Sequence, residues 1–160
     1  MSIQQLSMRI EDILKLKADI PLQKSVIVNL LYTYGIVNGE LNKVLKPFDI
    51  SIQQFNVLRI LRGQKGKPAE LNVVQDRMIN KMSNTTRLVD KLIKKGLVEK
   101  KTNKANRRKI DISITAEGLS FLNDIDTLID SKEVQMVSAL SDEEATELIR
   151  LLGKLRLIAN

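Results

Sequence analysis

Apolar residues recur along this chain at three- and four-residue steps over long stretches and at two-residue steps over one short stretch, which predicts several helices and one small hairpin. The first pattern, Ile3, Leu6, Ile10, Ile13, Leu14 and Leu16, predicts a helix from Ile3 to Lys17 that Pro21 interrupts. A longer one runs through Ile27, Leu30, Leu31, Tyr34, Val37, Leu41 and Leu45. It stops ahead of Pro47, whose ring disfavours helical geometry in the residue before it. Ser51 is placed to cap a third helix, with Gln54 as its capping-box partner and Phe55, Leu58 and Leu61 as the apolar stripe, and Gly63 and Gly66 end it. Leu71, Val74 and Met78 mark a short helix after Pro68. Asn80 is a residue type that tolerates left-handed geometry in the turn that follows, and Ser83 is placed to cap the next segment.

In that segment Thr85, Leu88, Val89 and Leu92 form an apolar face while Asn84, Arg87, Lys91 and Lys94 fall on the opposite side, and Gly96 ends it as a C-cap glycine would. Leu97 to Lys101 and Ile110 to Ile114 read as two strands, the second alternating Ile110, Ile112 and Ile114 with Asp111 and Ser113. Thr115 caps a further long helix with an apolar face of Leu119, Leu122, Ile125, Ile129, Met136 and Leu140. Ser141 with Glu144 opens a last one whose stripe is Ala145, Leu148, Leu152 and Leu155, with Leu151 and Ile158 alongside. The fold class is therefore mostly α with a small β-hairpin (α+β). The order from Leu71 to Thr115, short helix, turn, capped helix and hairpin, is that of a winged helix-turn-helix flanked by N- and C-terminal helices.

Composition narrows the chemistry. The 160 residues contain no cysteine and no histidine, which removes disulfides, thiol redox sensing and the commonest metal ligands together. Scattered carboxylates such as Glu70, Asp76 and Asp90 have no partner of those types and no metal spacing, so neither an enzyme, a metal site nor a cofactor is expected. No apolar run approaches a membrane span and the N-terminus lacks a signal-peptide pattern, so the expected address is the cytoplasm. The formal charge of +7 points to a polyanionic partner, and the cations are concentrated. Lys91, Lys94, Lys95, Lys100, Lys101, Lys104, Arg107, Arg108 and Lys109 crowd the capped helix and hairpin, against Glu99. Aromatic residues are 3% of the chain with none in this basic stretch, which disfavours stacking on single strands and favours duplex DNA.

A helix of this kind enters the major groove with its N-terminal residues against base edges while flanking cations fix register on the phosphates. Ser83, Asn84, Thr85, Thr86 and Arg87 supply that polar first turn. Arg87 suits bidentate bonding to guanine, Asn84 suits adenine, and a threonine methyl suits thymine. Lys91 and Lys95 lie beyond them, and Arg107, Arg108 and Lys109 sit where the hairpin tip should reach a minor groove. Tyr32, Tyr34 and Phe55 could line a pocket for a small aromatic ligand, although aromatic residues at that spacing are more often plain core. Gly35 and Gly39 are spaced for close helix approach, or for a local bend.

These residues resemble the multiple antibiotic resistance regulator (MarR) family of bacterial transcription factors over nearly the whole chain. The strongest likeness is the run from Thr86 to Val98, similar to the family's recognition helix and its exit into the wing. Asn106-Arg107-Arg108, followed by Ile114-Thr115 and Gly118, resembles the wing signature, with Asn106 where the family usually has Asp; a neutral amide braces an arginine more weakly than a carboxylate. The resemblance implies a homodimer joined through residues 1–46 and 116–160, with residues 47–115 as the DNA-binding domain. It aligns Arg108 with the arginine that enters the minor groove. Independently, the stripes over 27–45, 119–140 and 145–158 are more than a domain of about 70 residues can cover, and a symmetric partner is the ordinary way to bury them. The expected function is a sequence-specific regulator, a repressor released by a ligand. The alternative is a winged-helix architectural or protein-interaction module without sequence preference.

Overall fold

The computed structural model describes residues 9–103 and 110–157, and these fall into two compact units, residues 1–40 and 41–160. In the first, α1 is a single turn, Ile10–Ile13, not the helix expected from Ile3 to Lys17; Ile3 and Leu6 lie outside the described residues. The stop is a Schellman motif: Leu16 N donates to Glu11 O (2.9 Å) and Lys15 N to Asp12 O (3.2 Å), with Lys15 left-handed at φ 53°. Apolar spacing continues through Leu14 and Leu16, but the backbone has already turned. After Pro21 comes α2, Leu22–Leu45, which crosses the boundary between the units. Leu22, Ile27, Leu31, Tyr34 and Ile36 are all at least half exposed, so in the first unit this helix carries uncovered apolar surface. A Cβ added at Gly35 or Gly39 would meet nothing within 4 Å, so neither glycine serves a close approach within the chain.

The second unit is built around α3, Ile52–Arg62. Its start is the anticipated capping box: Ser51 Oγ accepts from Gln54 N (3.2 Å) while Ser51 N donates to Gln54 Oε1 (3.0 Å). Phe55, Leu58 and Leu61 are buried as their spacing demands, joined by Val57. Around it stand α4 (Leu71–Arg77), α5 (Thr85–Lys94), the antiparallel strands β1 (Val98–Thr102) and β2 (Ile110–Ile114), and α6 (Ala116–Val137). The last helix, α7, spans Asp142–Arg156. Leu45, Val74, Leu92, Val98, Ile112, Leu122, Ile125 and Ile129 close one core against α3. Arg62 on α3 donates to Asp126 on α6, and Phe48 meets Phe121 edge-on with centroids 5.9 Å apart.

The hairpin begins one residue later than expected, with Val98 opposite Ile114 and Thr102 opposite Ile110. Ala69 joins its outer edge through two bonds of 2.9 Å with Ile112, which ties the chain entering α4 to the strands. Thr115 caps α6 as anticipated, its Oγ1 accepting from Gly118 N (3.0 Å) and donating to Gly96 O (2.7 Å). The buried stripe of α6 is Gly118, Leu122, Ile125 and Ile129; Leu119, assigned to that stripe by its spacing, points to solvent. Ser141 and Glu144 form the anticipated capping box at α7, yet none of that helix is buried, and Leu148, Ile149 and Leu151 are exposed.

Candidate nucleic-acid interface

The turn between α4 and α5 sets how α5 is presented. Its backbone is fixed by side chains: Asn56 Oδ1 accepts from Ile79 N (3.0 Å), Gln75 Nε2 donates to Lys81 O (2.8 Å), and Asn80 Oδ1 accepts from Met82 N (3.0 Å). Asn80 therefore contributes an Asx turn and does not use the left-handed geometry it tolerates; among the described residues the left-handed non-glycine ones are Lys15, Asp49 and Lys65. The cap also differs from expectation. Asn84, one residue after Ser83, is the N-cap, its side chain accepting from Arg87 N at 3.0 Å. Ser83 N is taken by Asn80 O (3.2 Å) and its buried Oγ has no partner among the described residues. Alanine at Asn84 should accordingly cost about 1 kcal/mol of stability. Alanine at Ser83 should leave the urea midpoint unchanged or raise it, because it removes an unpaired hydroxyl. The reverse order in equilibrium unfolding would return the cap to Ser83.

Thr85, Val89 and Leu92 are buried and Asn84, Thr86, Arg87, Lys91 and Lys94 are exposed, so α5 has the two faces its sequence implied. Thr85 is the exception among the residues expected to face DNA. It is only 3% exposed and its hydroxyl donates to Gln75 Oε1, so it fastens α5 to α4. The C-terminal end is a full Schellman motif, Leu97 N to Leu92 O and Gly96 N to Ile93 O, with Gly96 at φ 73°.

At the N-terminal end of α5 lies an open groove of about 390 Å³ lined by Gln53, Asn80, Ser83, Asn84, Arg87, Leu88 and Lys91. It gathers the anticipated Ser83, Asn84, Arg87 and Lys91. It also adds Gln53, which sits on α3 and which in the sequence is one more polar residue beside an apolar stripe. Arg87, Lys91 and Lys94 make no ion pair among the described residues, leaving three cations on one helix face. Lys95 differs: its Nζ lies 2.5 Å from Asp49 Oδ2. The hydrogen bond and charge of Lys95, and then the charge of Lys91, hold the Asp49 carboxyl below its ordinary value. Lys100 pairs with Asp90 (3.5 Å) and Lys101 with Glu99 (2.8 Å), so the basic run through β1 is partly offset by neighbouring acids.

The strands of the wing are described as far as Asn103 and again from Ile110, where Asn103 Nδ2 donates to both carboxylate oxygens of Asp111 at 3.0 Å. Arg107, Arg108 and Lys109, with Asn106, lie outside the described residues. Of the aromatic set, Tyr32 and Tyr34 stand exposed in the first unit, whereas Phe55 belongs to the core of the second. There Phe55 lines a cavity of about 70 Å³ with Leu41, Leu45, Ile52, Asn56, Arg59, Ile79, Ile129 and Glu133, and the Arg59 guanidinium stands 5.7 Å from its ring centroid.

A capped helix with a cationic outer face beside a two-stranded wing is suited to hydrogen bonding in a groove of duplex DNA. Residues 50–110, from the approach to α3 to the start of β2, match the model of the MarR family. Over this stretch the chain is similar to the MarR family. Members of this family are transcription regulators, not enzymes. Among curated relatives, the chain is 28% identical over 142 residues to the HTH-type transcriptional regulator PecS of Dickeya dadantii, covering 86% of this chain and 84% of PecS. Solved structures share the fold. A mutant MarR from E. coli complexed with operator DNA superposes with a TM-score of 0.75 at 23% identity, covering 86% of this chain and 99% of that one. Bordetella bronchiseptica BpsR, whose DNA binding is regulated by 6-hydroxynicotinic acid, gives 0.76 at 18% identity, covering 86% and 97%. Among the described residues, no helix is long and apolar enough to cross a membrane.

Proposed function

We propose that this protein is a cytoplasmic, sequence-specific repressor that binds a pseudo-palindromic operator in double-stranded DNA as a homodimer. The observation that carries the reading is the α5 face: Asn84, Thr86, Arg87 and Lys91 exposed on a capped helix, over a groove that Asn84, Arg87 and Lys91 line. Arg87 and Asn84 are the base-reading groups, Lys91 a phosphate contact, and Ser83 and Gln53 border the seat. Arg107, Arg108 and Lys109 of the wing take the flanking minor groove. Repression follows from occluding polymerase at the site.

Residues 47–115 are the DNA-binding domain and residues 1–46 and 116–160 furnish the dimer interface. Support comes from the exposed Leu22, Leu31, Tyr34 and Ile36 in the first unit and from the exposed Leu128, Val134, Val137, Ile149 and Leu157 in the second. Apolar surface on that scale marks an interaction site more often than a solvated face. Sedimentation of the intact chain at micromolar concentration should give twice its 18.1 kDa mass; a monomer at operator-binding concentrations would remove the two-half-site model. A small aromatic ligand lowers operator affinity by changing the separation of the two α5 helices.

Selection from random duplexes tests the whole reading. A palindromic consensus should emerge and be bound at least about 10³-fold more tightly than random duplex at physiological salt. Equal affinity for both would instead favour an architectural or protein-interaction module.

A further inference from the structure

We propose that Met82 is a specificity-determining residue that reads the C5-methyl group of a thymine in the major groove, an inference that rests on α5 being the DNA-reading helix. Met82 is 92% exposed, more than any other large apolar side chain among the described residues. A thioether is apolar and adaptable and ordinarily finds cover. A loose loop could turn it inward, but this turn is held on both sides. Asn80 Oδ1 accepts from Met82 N (3.0 Å), Ser83 N donates to Asn80 O (3.2 Å), and Gln75 Nε2 donates to Lys81 O (2.8 Å).

The backbone therefore fixes Met82 between Asn80 and Ser83, two residues that line the groove at the start of α5. Two positions later Asn84 caps the helix, and Arg87, Lys91 and Lys94 surround the approach with positive charge. A partner that satisfies those cations is a polyanion. The apolar group that duplex DNA presents in its major groove, beside the acceptors and donors that Arg87 and Asn84 suit, is the thymine methyl. Ile79 supplies a control from the same turn. It is 84% exposed but lines the small cavity with Leu41, Phe55 and Ile129, on the α3–α6 side.

The test uses the full chain and the operator it selects from random duplexes, with each thymine replaced in turn by deoxyuridine, which lacks only the methyl group. At one position in each half-site the replacement should weaken binding about fourfold, the transfer free energy of roughly one buried carbon. Met82→Ala should bind the thymine and deoxyuridine duplexes alike, and Ile79→Ala should keep the wild-type dependence. Both side chains are exposed, so both variants should fold normally. An operator that is selected and bound, yet shows no methyl dependence or keeps it in Met82→Ala, overturns the role of Met82 and leaves the regulator reading intact. Failure to select any sequence overturns both.

Discussion

Alanine at Gly118 is expected to lower the unfolding free energy by about 3 kcal/mol or more, beyond the usual range for overpacking one methyl group. An added Cβ would overlap the Leu97 carbonyl oxygen and lie 2.7 Å from Ile114 Cγ1. Neither obstacle can yield cheaply. The Leu97 carbonyl accepts from Thr115 N at 3.1 Å, and Ile114 pairs with Val98 at the base of the wing, where Ala69, Val98 and Ile112 are buried together. Relief requires moving the first turn of α6 away from the hairpin. That would also strain the Thr115 hydroxyl, which bonds Gly118 N and Gly96 O at once. A urea midpoint within the error of the wild type would show that the α6–hairpin junction is looser than these distances indicate. A folded Gly118→Ala chain should also bind operator less well, since the hairpin and the end of α5 hang from the same joint.

Local relations of the kind that build this junction are legible in the amino-acid sequence. Ser51, Thr115 and Ser141 are read correctly because a cap depends on a hydroxyl and the residue three positions on. Gly96 is read correctly because a left-handed residue after a helix favours glycine. The same rule fails at Lys15 and Asp49, where residues with a Cβ take up φ 53° and composition leaves no mark of the turn. Asn84 and not Ser83 is the cap because it is the Asn84 side chain that accepts from Arg87 N, and spacing alone does not choose between two adjacent cap-type residues.

The interface divides in the same way. Arg87, Lys91 and Lys94 are placed by helical periodicity alone, one residue type every three or four positions. Gln53 and the Lys95–Asp49 pair depend on segments more than thirty residues away and are invisible to spacing. Surplus stripe anticipates the exposed apolar faces of α2 and α7, but which residues each leaves uncovered, Leu148 and Leu151 among them, depends on the packing of the rest.

Alanine at Arg87 should separate base reading from phosphate binding. The guanidinium is exposed at the first turn of α5, free of ion pairs among the described residues, while its own amide is held by the Asn84 cap. Removing the side chain therefore leaves the helix start intact. A bidentate contact to guanine is worth about 1 to 3 kcal/mol, and a symmetric dimer loses it twice, so affinity for the selected operator should fall between about 30-fold and about 10⁴-fold. Random duplex offers no such guanine in register and should be bound nearly as before. The slope of log affinity against log salt should hold, because no phosphate contact is lost, whereas Lys91→Ala should flatten it by about one per subunit and weaken all sequences together. Lys95→Ala should flatten it less than Lys91→Ala. Its ammonium is already engaged by Asp49, so less positive charge is available to a phosphate, and competition titrations over a salt series distinguish the three variants. If Arg87→Ala weakened selected and random DNA equally, the residue would be a phosphate contact, and base recognition would have to move to Asn84, Thr86 and the turn that precedes them.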